Sequence, residues 1–166
     1  ALETVKVLGI MVGDENGNMN LSSQVTRAEF GKMMTAASSY KDTVGSGYGV
    51  SLFKDVKSSH WASEYIRLAV EQNWMTGYTD GTFRPDKTVT RAELMAMVNR
   101  ATGRAPKSTG ALLSGMKTWK DNADTARWYY LDVQEATNSH TYLGAPTETW
   151  TSLTATPARS QYEKAP

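Results

Sequence analysis

The chain has 166 residues, with 18 Lys+Arg against 17 Asp+Glu, a net charge of +1, no Cys and two His. That near balance excludes a globally basic surface, so nucleic acid is not an expected partner. Without Cys there are no disulfides, no Cys-ligated zinc and no thiol nucleophile, and two His leave little for a Ser/His/Asp triad or a His-rich metal site, so no enzyme, cofactor or metal is expected. No apolar run reaches the roughly 20 residues that cross a bilayer, and no membrane insertion is expected. Eight Met, five Trp and eight Tyr must supply much of the core.

In chain order, the first landmark is Val25-Thr26-Arg27-Ala28-Glu29, which recurs 64 residues later as Val89-Thr90-Arg91-Ala92-Glu93. Met11/Met75, Gly13/Gly77, Gly17/Gly81 and Met33/Met97 share that register. A second, weaker match lays Trp119-Lys120-Asp121 on Phe53-Lys54-Asp55, Trp128 on Trp61 and Ala136 on Ala69. Both imply a period of about 65 residues. Three units follow: 1–44, which begins at the tail of its first helix; 53–103, which is complete; and 116–166, whose second half has diverged. Residues 45–52 and 104–115 read as linkers.

Each unit reads as helix, loop, helix. In the middle one, Ser58 or Ser59 is expected to cap a helix whose stripe is Trp61, Tyr65, Leu68, Ala69 and Gln72. Residues 77–86 are dense in turn formers and predict an ordered loop. A second helix runs from Thr90 to Gly103, which suits a left-handed end. In the third unit a helix is expected over roughly 125–138, with loop or extended chain over 141–166. There Gly144 aligns with Gly77 and Trp150 with Phe83, and the Thr-Arg-Ala-Glu slot reads Pro157-Ala158-Arg159-Ser160.

Thr26 with Glu29, and Thr90 with Glu93, have the spacing of a capping box, a structural role that needs no ligand. The arginines are different, because a cation at the first helical position opposes the helix dipole. Arg27 and Arg91 therefore point either to an anion site built from helix N–H groups and an Arg fork, or to a salt bridge with a neighbouring unit. Gly13, Gly17, Gly77 and Gly81 read as turn glycines with positive φ, with close approach to a ligand as the functional alternative. Trp61 and Trp128 open amphipathic helices and read first as core rings. His60 and His140 read as solvated or capping. The run from Asp14 to Asn20 resembles the opening of a calcium loop but has Met19 at the sixth position and Val25 at the twelfth, so an Asn/Asp turn bonded to its own backbone suffices.

Phe53-Lys54-Asp55-Val56, His60-Trp61-Ala62, the run Gly77 to Asp86 and Val89-Thr90-Arg91-Ala92-Glu93 resemble the S-layer homology family. The first unit resembles it from Leu8 to Glu29, with Asp14 in place of the usual Tyr. The third does so through Trp119-Lys120-Asp121 and from Trp128 to Ala136. The resemblance implies a mainly α fold: a pseudo-threefold helical bundle with projecting loop–helix prongs. It also implies a non-catalytic anchor on the cell wall or S-layer of a Gram-positive-type bacterium, whose inter-repeat grooves bind a secondary polysaccharide carrying pyruvylated N-acetylmannosamine. Its carboxylate would meet Arg27 or Arg91, with Gly13 and Gly77 beside it and Trp61 and Trp128 as sugar platforms. One rival is a self-assembly module without glycan binding. Another is a carbohydrate-active enzyme, which needs two carboxylates about 5–10 Å apart across a cleft; the only acidic position aligned with confidence in both repeats is Glu29/Glu93.

Overall fold

The computed structural model describes residues 2–45 and 51–155, in two compact units, 1–89 and 90–166. The Pro157–Ser160 slot and part of the first linker lie outside the described residues. Among the described residues there are five α-helices and one two-stranded sheet, so the chain is helix-rich. No helix among them is long and apolar enough to cross a membrane.

The first unit holds α1 (Leu2–Val7), α2 (Arg27–Ala36) and α3 (Ser63–Glu71). Thr26 caps α2 as expected: its hydroxyl accepts from the Glu29 N–H, and the Glu29 carboxylate accepts from the Thr26 N–H. The start of α3 departs from expectation. It begins at Ser63 with no side-chain cap, because Lys57–Ser63 form two tight turns in which His60 N–H meets Lys57 O and Ser63 N–H meets His60 O. Helix α2 packs on α3, and the core is Ala28, Phe30, Val56, Ala62, Ile66, Leu68, Ala69, Trp74, Met75 and Phe83. Ile66 and Phe83 are almost wholly buried, each contributing about 1.5–3 kcal/mol. The copied segments meet here: Arg27 N–H donates to Lys87 O, Ala28 N–H to Pro85 O and Val89 N–H to Val25 O.

The second unit holds α4 (Arg91–Thr102), α5 (Tyr130–Thr137) and an antiparallel hairpin of β1 (His140–Leu143) and β2 (Thr149–Leu153). Helix α4 keeps the expected capping box and ends at Gly103 with φ 66°. Helix α5 is shorter than expected, because the Asp124 carboxylate accepts from Ala126 N–H and Arg127 N–H returns to Asp124 O, turning the chain before Tyr130. It packs on α4, where Asn99 Nδ2 donates to the Asp132 main chain and carboxylate. Burial holds the Asp132 carboxyl above its ordinary value. Residues 140–143 and 149–153 are extended, as expected, and pair with one another where the middle unit has its loop. Trp150, aligned with Phe83, is buried like it.

Candidate functional site

The repeated arginines have different environments. Arg27 is 4% exposed, with Nε donating to Phe83 O at 2.8 Å and Nη2 to Thr76 O at 2.6 Å. Its guanidinium also lies over the Phe83 ring at 4.4 Å and the Tyr78 ring at 5.1 Å. The first two N–H groups of α2 are taken by Lys87 O and Pro85 O and the third by Thr26 Oγ1. Contrary to the expected anion receptor, these contacts make Arg27 a clamp on loop carbonyls, and the first three N–H groups of α2 are already taken. Such a clamp opposes the dipole cost that made the residue conspicuous.

Arg91 is exposed and makes no hydrogen bond or ion pair among the described residues. The N–H groups of Arg91 and Ala92 are also unbonded among them, whereas Glu93 N–H is held by Thr90 Oγ1. One helix start is therefore open, with a cation beside it.

Gly13 has φ 79°, and a Cβ there would lie 2.8 Å from Asn18 O. Gly77 departs from the positive-φ expectation: a Cβ would lie 2.1 Å from Phe53 Cε1, so the bare backbone serves aromatic packing. Neither Trp is a core ring. Trp61 is 55% exposed and Trp128 61%, so both indoles are available to a ligand. Gly13 and Trp61 line one cleft of about 350 Å³ in the first unit, with Met11, Met19, Glu29 and Lys32. Lys32 was not singled out by the motif; only the helical spacing from Glu29, three residues earlier, places it on that face.

The Asp14 turn is as the sequence suggests, with its carboxylate accepting from Asn16 and Asn18 N–H and from the side-chain amides of Asn18 and Asn20. Those bonds hold its carboxyl below its ordinary value. Asp80 is held down to about 2 by the hydroxyl and N–H of Thr82 and then by Arg84.

His60 is half-buried, its Nδ1 accepting from Ala62 N–H in the turn that precedes α3. His140 is neither solvated nor a cap. Its side chain is 1% exposed and belongs to a buried cluster with Arg104, Glu135 and Glu148. Arg104 reaches Glu135 at 2.7 Å, Glu148 at 3.0 Å and His140 Nε2 at 2.9 Å, and Trp150 Nε1 donates to Glu135. An arginine has only donors, so His140 Nε2 accepts and its Nδ1–H donates to Asn138 O. Burial, then the neighbouring Glu148 carboxyl, push Glu135 up to about 7. The oxygens and nitrogen of Glu135, His140 and Glu148 lie within 4.8 Å of one another, as in a metal site, but the Arg104 guanidinium already provides their cation. Sequence reasoning missed this cluster because its members are scattered; the one signal is the alternation that puts Glu148 and Trp150 on one strand face.

Residues 52–95 match the S-layer homology domain. Among curated relatives, a cellulosome-anchoring protein of Acetivibrio thermocellus is 29% identical over 143 residues, covering 86% of this chain and 30% of that protein. A middle cell wall protein of Brevibacillus brevis is 27% identical over 126 residues, 76% of this chain and 12% of that protein. An endoglucanase of a Bacillus species is 36% identical over 67 residues, 40% of this chain and 7% of that protein. The chain thus spans a third or less of each relative's own length.

Proposed function

We propose that this chain is a non-catalytic module that holds a larger exported protein, or an S-layer lattice protein, on a Gram-positive-type cell wall by binding an anionic, pyruvylated secondary polysaccharide. The observation that carries the reading is the open start of α4, where Arg91 is exposed and two N–H groups await an acceptor. A carboxylate there gains charge-assisted hydrogen bonds and the favourable end of the helix dipole. Exposed Trp61 and Trp128 supply faces for sugar rings. Names such as cellulosome-anchoring and middle cell wall protein among the relatives support a location outside the cell. In this reading the three units surround one axis. The α2-on-α3 and α4-on-α5 packings, the same step taken twice, support that arrangement. Arg27 shapes a loop and Arg91 meets the ligand.

Sedimentation with peptidoglycan sacculi before and after stripping of the secondary polymer tests this. Binding to intact walls alone is expected, and Arg91→Ala should weaken it about tenfold or more. Equal binding to stripped and intact walls refutes the polymer reading.

A further inference from the structure

The buried cluster of the second unit brings together four pieces of chain and has more acceptors than donors. Glu135 lies on α5, His140 opens β1, Glu148 immediately precedes β2, and Arg104 follows the end of α4. Arg104 Nε donates to both oxygens of Glu148, at 3.0 and 3.1 Å, while Nη2 reaches His140 Nε2 at 2.9 Å and Glu135 Oε1 at 2.7 Å. Trp150 Nε1 donates to Glu135 Oε2 at 3.0 Å. That same Oε2 lies 3.3 Å from His140 Nε2, which is 3.9 Å from Glu148 Oε2. With Nδ1–H given to Asn138 O, His140 Nε2 offers only a lone pair. Two acceptors 3.3 Å apart repel one another unless a hydrogen lies between them.

The charges require the same hydrogen. One guanidinium balances one carboxylate, and a second carboxylate buried beside the first is uncompensated unless it binds a proton. Glu135 is the member that does so, its carboxyl being pushed up to about 7 by burial and then by its hydrogen bond with Glu148. Two other titratable side chains lie close by. Arg104 sits over the Tyr142 ring at 4.2 Å, and Asp132, one turn before Glu135, faces Asn99 of α4 with Arg100 near it. The hairpin side of the cluster holds together without Glu135: Glu148 N–H donates to Ala105 O, Lys107 N–H donates to Glu148 O, and the His140 ring stacks on Trp150 at 4.0 Å. Glu135 is thus the point at which α5 grips the hairpin.

We propose that the cluster is a proton-operated latch: one proton shared by Glu135 with Glu148 and His140 holds the β1–β2 hairpin on α5, and its loss frees the hairpin while α4 and α5 stay packed. Opening hydrates the second carboxylate, separates it from Glu148 and the His140 lone pair, and brings Trp150 to water. The closed form binds the proton more tightly than the open one, so closure is strongest below about 4.5, weakens by up to about tenfold per pH unit above that, and levels off beyond about 7. The latch makes no use of Arg91 and stands apart from polymer binding.

Amide hydrogen exchange of the whole chain, read by NMR as protection factors at about pH 5, 6, 7 and 8, tests it. Hairpin protection over 140–153 should fall by about tenfold or more from pH 5 to 7 and change little at pH 8, while the α4 amides keep theirs. Glu135→Gln keeps the shape and carries an N–H donor where the proton was, so its hairpin protection should not vary with pH. Glu148→Gln removes the opposing carboxylate and should shrink the variation likewise; circular dichroism melts at pH 5 identify which variants are folded. Hairpin protection that is flat from pH 5 to 7 in wild type, α4 protection that falls in step with it, or full pH dependence in either folded variant overturns the proposal. None of these readouts involves glycan, so failure of the wall-binding reading remains separable.

Discussion

Replacing Arg27 by Ala removes two hydrogen bonds from a charged, buried donor, to Phe83 O and Thr76 O. Each is in the class that contributes about 1.5–3 kcal/mol, and the change also leaves a carbonyl unbonded beside a fully buried ring and a void under two aromatic faces. Some relaxation and water entry offset this, so the expected loss is about 3–5 kcal/mol, a large share of the stability of a small domain. Arg91→Ala, at the same place in the copied motif, removes an exposed side chain and should change stability by no more than about 0.5 kcal/mol. Urea unfolding followed by far-ultraviolet circular dichroism and by tryptophan fluorescence measures both. Arg27→Met separates the causes, because it retains aliphatic volume without the donors and should recover only part of the loss. Two arginine variants of equal stability, or an Arg27→Ala chain within about 1 kcal/mol of wild type, would refute the clamp.

Glu135, pushed up to about 7, binds its proton more tightly folded than unfolded, so its stabilising contribution is full below about 4.5 and is lost as pH rises through 7. The loss is on the order of 3 kcal/mol; thermal melts of the second unit from pH 5 to 8 should show it, and Glu135→Gln should flatten that slope. Gly77→Ala places a methyl inside the Phe53 ring and should cost about 1–3 kcal/mol, less in a Phe53→Leu background, as chemical denaturation of the four-member cycle will show. Thr90→Ala removes the acceptor for Glu93 N–H and should cost about 0.5–2 kcal/mol, with faster hydrogen exchange confined to the first turn of α4.

What was readable in the chain was local. Thr26-x-x-Glu29 and Thr90-x-x-Glu93 form the capping boxes they spell, Gly103 ends α4 in the left-handed conformation, and Asp14 bonds its own turn, because each feature is settled within a few residues of backbone. The 64-residue register was equally legible, as one set of turn residues twice builds the same hydrogen bonds. The buried cluster was not, because Arg104 meets His140 36 positions along the chain and Glu148 44 positions along.

The sequence alone determined that Arg27 and Arg91 sit where a helix by itself disfavours a cation. Tertiary structure decided what each does. Arg27 has a loop within reach whose carbonyls face it and whose rings cover it, so its charge is satisfied inside the protein. Arg91, beginning a helix with the same capping-box start, has no such loop among the described residues and keeps its charge and its helix start open to solvent. Identical local sequence specifies the cap; only the neighbour supplied by the fold distinguishes a clamp from an open anion receptor.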